Sequence, residues 1–183
     1  MAQFILLLTV CFCGTIVYAQ PLSSNSKTKI YLVRHGEKES GKDPILTTAG
    51  RQRAGDLMRV LIKKHIRCIY LTEFRRSEMT ADSMRIQLGI DTVHYKADTL
   101  FDDLVNKIRL HGDMRKAILV IGHSNTIPKL IRKLGVEYYP QENIPDNGYD
   151  DLFLVRYKMH KARVIKYKYG AASQPSAAMH QLQ

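Results

Sequence analysis

From Lys29 to Tyr169 the chain alternates between short apolar runs and longer stretches in which apolar residues recur every three or four positions. The first pattern predicts buried strands and the second amphipathic helices. Ile30 to Val33 forms the first run. Thr47 or Thr48 can then cap a helix whose Ala54, Leu57, Met58, Leu61 and Ile62 fall on one face. "CIYLT" predicts a second strand, and Ser77, Ala81, Met84 and Leu88 give the following helix a narrow apolar stripe. Gly89 suits the left-handed turn that closes it. "DTVHY" predicts a short third strand, and Phe101, Leu104, Val105 and Ile108 a helix ending near Gly112. "AILVIG" is apolar on both faces, as a central strand covered by helices should be. It leads into a helix carrying Leu130, Ile131 and Leu134, with Pro128 in the first turn, where a missing N–H costs little. After the turn-rich "YYPQENIPDNGYDD", the runs "LFLVRY" and "ARVIKYKY" predict a closing hairpin.

Strands separated by helices predict an α/β domain, a three-layer αβα sandwich on a mostly parallel sheet, with an antiparallel edge at its C-terminal end. Ligands of such sheets bind outside the carboxyl ends of the strands.

The 183 residues suffice for one domain of ordinary size. Three segments fall outside it. Residues 1–19 carry no charged side chain and end in Val17-Tyr18-Ala19, which suits a signal peptide cleaved after Ala19. Export to the periplasm or the exterior is the matching expectation. The alternative is an uncleaved N-terminal anchor that ties the protein to a membrane. Residues 20–28 read as a polar linker, 29–169 as the domain, and 170–183, without apolar periodicity, as a disordered tail. Cleavage would leave Cys68 as the remaining cysteine, a buried thiol in "IRCIYL". The formal net charge of +11 favours anionic partners. The basic residues are scattered rather than blocked, so a solvated cationic surface is expected in place of a nucleic-acid groove.

The chemistry gathers at strand ends. Arg34 and His35 leave the first strand, His123 leaves "VIG", and Arg75 and Arg76 follow the second strand. In a parallel sheet these groups converge on one edge. Guanidinium forks grip phosphate oxygens, and a helix starting after His123 adds partial positive charge. A neutral imidazole can attack phosphorus and divide one displacement into two through a phosphohistidine. Gly36 is expected to leave room for the phosphoryl group. Zinc sites recruit Cys, Asp or further His, and flanking arginines would repel a cation, so no metal and no cofactor is expected. His65, His94, His111, His160 and His180 read as ordinary loop or surface residues. Position alone does not choose between Arg75 and Arg76.

"YLVRHGE", "LTTAGRQRA", "YLTEFRRSEMTA" and "VIGHSNTIP", in that order, resemble the histidine phosphatase (phosphoglycerate mutase-like) superfamily, and the short interval before His123 resembles its compact phosphohistidine-phosphatase branch. The resemblance implies a metal-independent phosphatase acting on a phosphorylated small molecule or a phosphoprotein. It makes His35 the phosphorylated nucleophile, Arg34 and Arg76 the phosphate-pocket arginines, and His123 the second catalytic histidine. Asn125 is either a substrate contact or a helix cap, and Glu37 is expected to orient Arg34 or a loop amide. No proton donor for the leaving group is evident. Glu37, Asp98, Asp102 and Asp103 are candidates by location, each with a surface or capping role as the alternative. The alternative to an enzyme is a catalytically weak phospho-ligand binding module of the same fold.

Overall fold

The computed structural model describes residues 28–158 and 161–173. Each apolar run of that span becomes a strand: β1 (Lys29–Arg34), β2 (Ile66–Thr72), β3 (Asp91–Tyr95), β4 (Ala117–Gly122), β5 (Asp151–Lys158) and β6 (Lys161–Lys168). They form one sheet in the order β3-β2-β4-β1-β5-β6. The first four are mutually parallel, while β5 and β6 join antiparallel beside β1. The αβα sandwich with an antiparallel C-terminal edge is the architecture observed.

Helices α1 (Thr48–Leu61), α2 (Arg75–Leu88), α3 (Asp102–Leu110) and α4 (Ile127–Lys133) follow β1 to β4. Thr47 caps α1 by accepting a hydrogen bond from the Gly50 N–H, and Gly89 closes α2 with φ 62°. Leu57 and Leu61 of α1 and Ala81 and Met84 of α2 cover one sheet face, against Val33, Ile69, Leu119 and Ile121. On the other face Leu104 and Ile108 of α3 and Leu130 and Ile131 of α4 pack on Ile30, Tyr70, Ile118, Val120 and Phe153. Burial of each such aliphatic side chain contributes about 1.5–3 kcal/mol. Strand β4 has both faces buried because β1 and β2 flank it and helices lie above and below.

The first residues of the expected tail are held in place. Arg53 donates to the Ala171 carbonyl, and the Ser173 hydroxyl donates to Asp150. Polar side chains inside the domain capture this backbone, so the lack of apolar periodicity there was a poor guide. The leader or anchor assigned to residues 1–19, most of the linker, and residues 174–183 lie outside the described residues. Among the described residues, no helix is long and apolar enough to cross a membrane.

Candidate active site

Because β1 and β4 are parallel neighbours in register, Arg34 stands opposite Gly122 and the next residues, His35 and His123, emerge side by side. Their ring centroids are 5.3 Å apart. Strand β2 lies on the far side of β4 and delivers Phe74 and Arg76 to the same edge. These side chains line a cleft of about 410 Å³ together with Lys38, Asn125 and Asp146. The four residues expected at the site, Arg34, His35, Arg76 and His123, are therefore in one place.

His35 is buried, and its Nδ1 lies 2.8 Å from the Gly36 carbonyl oxygen. A carbonyl only accepts, so Nδ1 carries the proton and a neutral ring has its lone pair on Nε2. Burial, reinforced by His123, Arg34 and Arg76, pushes the imidazole pKa down to about 3, against the opposing pull of the Gly36 bond. His123 is pushed down to about 4, first by burial and then by Arg76 and Arg34. Its Nε2 is 3.0 Å from Thr72 Oγ1, which is 2.7 Å from Ser77 Oγ. The Phe74 ring meets His123 edge-on at 5.2 Å.

Arg34 is fixed by backbone. Its Nη1 donates to the carbonyls of Pro145, Asp146 and Gly148 at 2.9, 2.8 and 3.3 Å, and its guanidinium sits 4.1 Å from the Tyr149 ring centroid. Its Nη2 donates to the Tyr149 hydroxyl at 3.3 Å, so both arms of the fork are engaged by the loop before β5. Arg76 rests 4.2 Å from the Phe74 ring centroid and approaches Asp43 at 3.6 Å. The Nε of Arg34 and the Nε of Arg76 are both buried without a hydrogen-bond partner among the described residues. Arg75, by contrast, is an exposed residue that does not line the cleft.

Glu37 departs from expectation. Its carboxylate does not orient Arg34 but accepts from Arg53, whose Nε is 2.9 Å from both oxygens and whose Nη2 is 2.7 Å from Oε1. Arg53 points inward from α1 and also donates to the Tyr169 and Ala171 carbonyls. The Glu37 carbonyl accepts from the Thr47 N–H, so the other expected role, holding a loop amide, falls to its backbone. Gly36 also differs from expectation, since a Cβ there would sit 2.9 Å from the Gly50 carbonyl oxygen. Its missing side chain admits helix α1 rather than a ligand. Asn125 is exposed on the cleft, and the residue at the α4 N-terminus is Thr126, whose hydroxyl accepts from the His123 N–H.

The three aspartates considered as proton donors are engaged elsewhere. Asp98 accepts from the Leu100 and Phe101 amides, Asp102 pairs with Lys133, and Asp103 accepts from Lys107 and the Lys96 amide. The carboxylate that does line the cleft is Asp146. Sequence reasoning missed it with Lys38, Thr72, Tyr149 and Arg53. Arg53 had a signal, because it falls on the buried stripe of α1 between Gly50 and Leu57. The carbonyls that grip Arg34 had none, since every residue carries one. Among the described residues no three His, Cys, Asp or Glu side chains cluster as a metal-binding set.

The sequence profile of the histidine phosphatase superfamily (branch 1) matches residues 30–104, the span that contains Arg34, His35 and Arg76. The match spans less than half of the 183 residues, and over that span the chain is similar to the histidine phosphatase superfamily. His123 lies beyond the matched span, and the sheet places it beside His35. No curated protein sequence matches the chain. Solved structures share its fold at low identity. A candidate phosphohistidine phosphatase, SixA, from Agrobacterium tumefaciens superposes with a TM-score of 0.54 at 18% identity, covering 80% of this chain and 99% of that one. The alpha-ribazole phosphatase of Shigella flexneri gives 0.59 at 14%, covering 76% and 96%. A phosphoserine phosphatase from Entamoeba histolytica, in complex with 3-phosphoglyceric acid, gives 0.51 at 16%, covering 79% and 98%.

Proposed function

We propose that this chain is a histidine phosphatase, hydrolysing a phosphomonoester or phosphoprotein through a covalent phosphohistidine at His35, without a metal ion. The observation that carries this reading is the bond from His35 Nδ1 to the Gly36 carbonyl, in a cleft shared with Arg34, Arg76 and His123. It leaves Nε2 unprotonated, and the depressed pKa keeps it so at neutral pH. Nε2 attacks phosphorus, and the bond to the leaving oxygen breaks. Water then attacks the phosphohistidine, giving inorganic phosphate and restoring the imidazole. The cations stabilise charge on the equatorial oxygens, and an oxyanion would offer acceptors to the two unmatched arginine Nε donors. A neutral His123 serves as a hydrogen-bonding partner held by Thr72. The described activities of the structural neighbours, all phosphate removal, support a phosphorylated substrate.

The test is turnover of an activated aryl phosphate in excess chelator, with rapid acid-free quenching to trap the phosphoenzyme. Wild type should turn over undiminished, and His35→Ala should lose on the order of 10⁴-fold or more together with the trapped phosphate. A rate that collapses in chelator would overturn the metal-free mechanism. Wild type that binds phosphate without turnover would make the protein a binding module.

A further inference from the structure

The cations that the catalytic cleft does not use are concentrated at the opposite end of the sheet. Strands β1, β2 and β4 are parallel, so their amino ends share one pole, roughly 16 Å from the cleft by the rise of β1. There Lys29 pairs in register with Arg156, and Arg156 with Arg163. All three are exposed, and alternation along each strand puts them on one face. Like charges directly opposite one another destabilise a sheet, yet none of the three has a carboxylate partner within the described residues. Lys63 and Lys64 end the turn after α1 at the same pole, and Arg115 and Lys116 lead into β4. The Lys29 amide donates to the Lys116 carbonyl, which fixes that segment against the row. Arg67, at the start of β2, makes only a loose 3.6 Å approach to Asp91. Among the described residues, Asp91 and Glu137 are exposed carboxylates in the segments at this end, and Glu142 pairs with Arg132 in the last turn of α4.

Apolar exposure concentrates there as well. Helices α1, α2 and α3 run back from the cleft, so their C-terminal turns reach this pole. Ile62, Ile86 and Leu110, in or just after those turns, are 50%, 67% and 84% exposed. The chain also enters the domain here, at Lys29, and residues 1–26, ahead of Lys27 and Thr28, carry no charged side chain and include the apolar run "FILLLTV".

We propose that this pole is a docking face for an anionic bilayer surface, with the catalytic cleft turned to the solvent. Cations near such a surface are attracted to its headgroups. Aliphatic side chains among them enter the headgroup region, a feature that a phosphodiester backbone would not call for. Docking also relieves the repulsion within the Lys29–Arg156–Arg163 row.

The test is vesicle co-sedimentation of the full chain, on phosphatidylcholine alone and on phosphatidylcholine mixed with phosphatidylglycerol. Whatever the apolar N-terminal residues contribute appears on both; the pole contributes the difference. Wild type should prefer the anionic vesicles at least about tenfold, less so at high salt. The variant Lys29→Glu/Arg156→Glu/Arg163→Glu should lose that preference while its melting temperature stays level or rises. No preference in wild type, or an undiminished preference in the folded variant, overturns the proposal. So does tighter binding of a single-stranded RNA probe that displaces the vesicles and is lost in the same variant, which would make the face a nucleic-acid surface. A variant that does not fold is replaced by Lys63→Glu/Lys64→Glu/Lys116→Glu, with the same expectation.

Discussion

One hydrogen bond decides what His35 can do. Had its Nδ1 faced a donor, the neutral ring would carry its proton on Nε2 and lose the lone pair there; the Gly36 carbonyl prevents this. The cost of holding two neutral histidines in a cationic cleft is felt in acid. In the unfolded chain both imidazoles take up a proton near pH 6.5, whereas in the folded protein they do so only near 3 and 4. Across that window the unfolded state binds more protons, so folding stability should fall as pH drops from about 6.5 towards 4 and be complete above it. Urea denaturation at several pH values checks this against His35→Asn/His123→Asn, whose stability should fall less steeply over the same range. Parallel profiles for the two proteins would contradict the burial argument.

At the scale of elements, the loop after β1 and helix α1 meet through two glycines. A Cβ on Gly50 would lie 2.1 Å from the Glu37 carbonyl oxygen, a distance no packing tolerates. Gly50→Ala should therefore displace Glu37, two residues after His35, at a cost of about 1–3 kcal/mol. Denaturant midpoints measure that loss. Turnover should fall with it, because Gly36 and Glu37 carry the backbone that orients His35. "LTTAG" was legible as part of a motif. Its physical purpose was not, because a glycine's reason lies in what approaches it. The same holds for Gly36.

On the scale of the molecule, Arg53 joins parts of the chain that are far apart in sequence. It pairs with Glu37 in the loop after β1 and donates to the Tyr169 and Ala171 carbonyls beyond the last strand. Its side chain is 4% exposed and that of Glu37 is 23% exposed. Removing one member of a buried ion pair leaves a charge without compensation, so Arg53→Ala should destabilise by about 3 kcal/mol. Arg53→Lys should recover part of this, since a single ammonium cannot make the two-pronged contact. Thermal melting ranks the three proteins; an unchanged midpoint in Arg53→Ala would show that the pair does not bind the C-terminal residues to the loop.

Most of the architecture was readable because it depends on local pattern. Strand β4 announced itself by being apolar on both faces, α1 by its cap and stripe, and the C-terminal hairpin by its two adjoining runs. The candidate nucleophile and the second histidine were readable for a related reason, since in a parallel sheet the carboxyl ends of strands share an edge. The sequence by itself determined which side chains were available there and which strands would present them. The tertiary structure alone decided that β4 stands between β1 and β2, which brings the imidazoles together. It also decided that Glu37 belongs to Arg53, that loop carbonyls hold Arg34, and that cations scattered along the chain gather at one pole. Those outcomes depend on backbone groups common to every residue and on distances between remote segments, neither of which a one-dimensional pattern encodes.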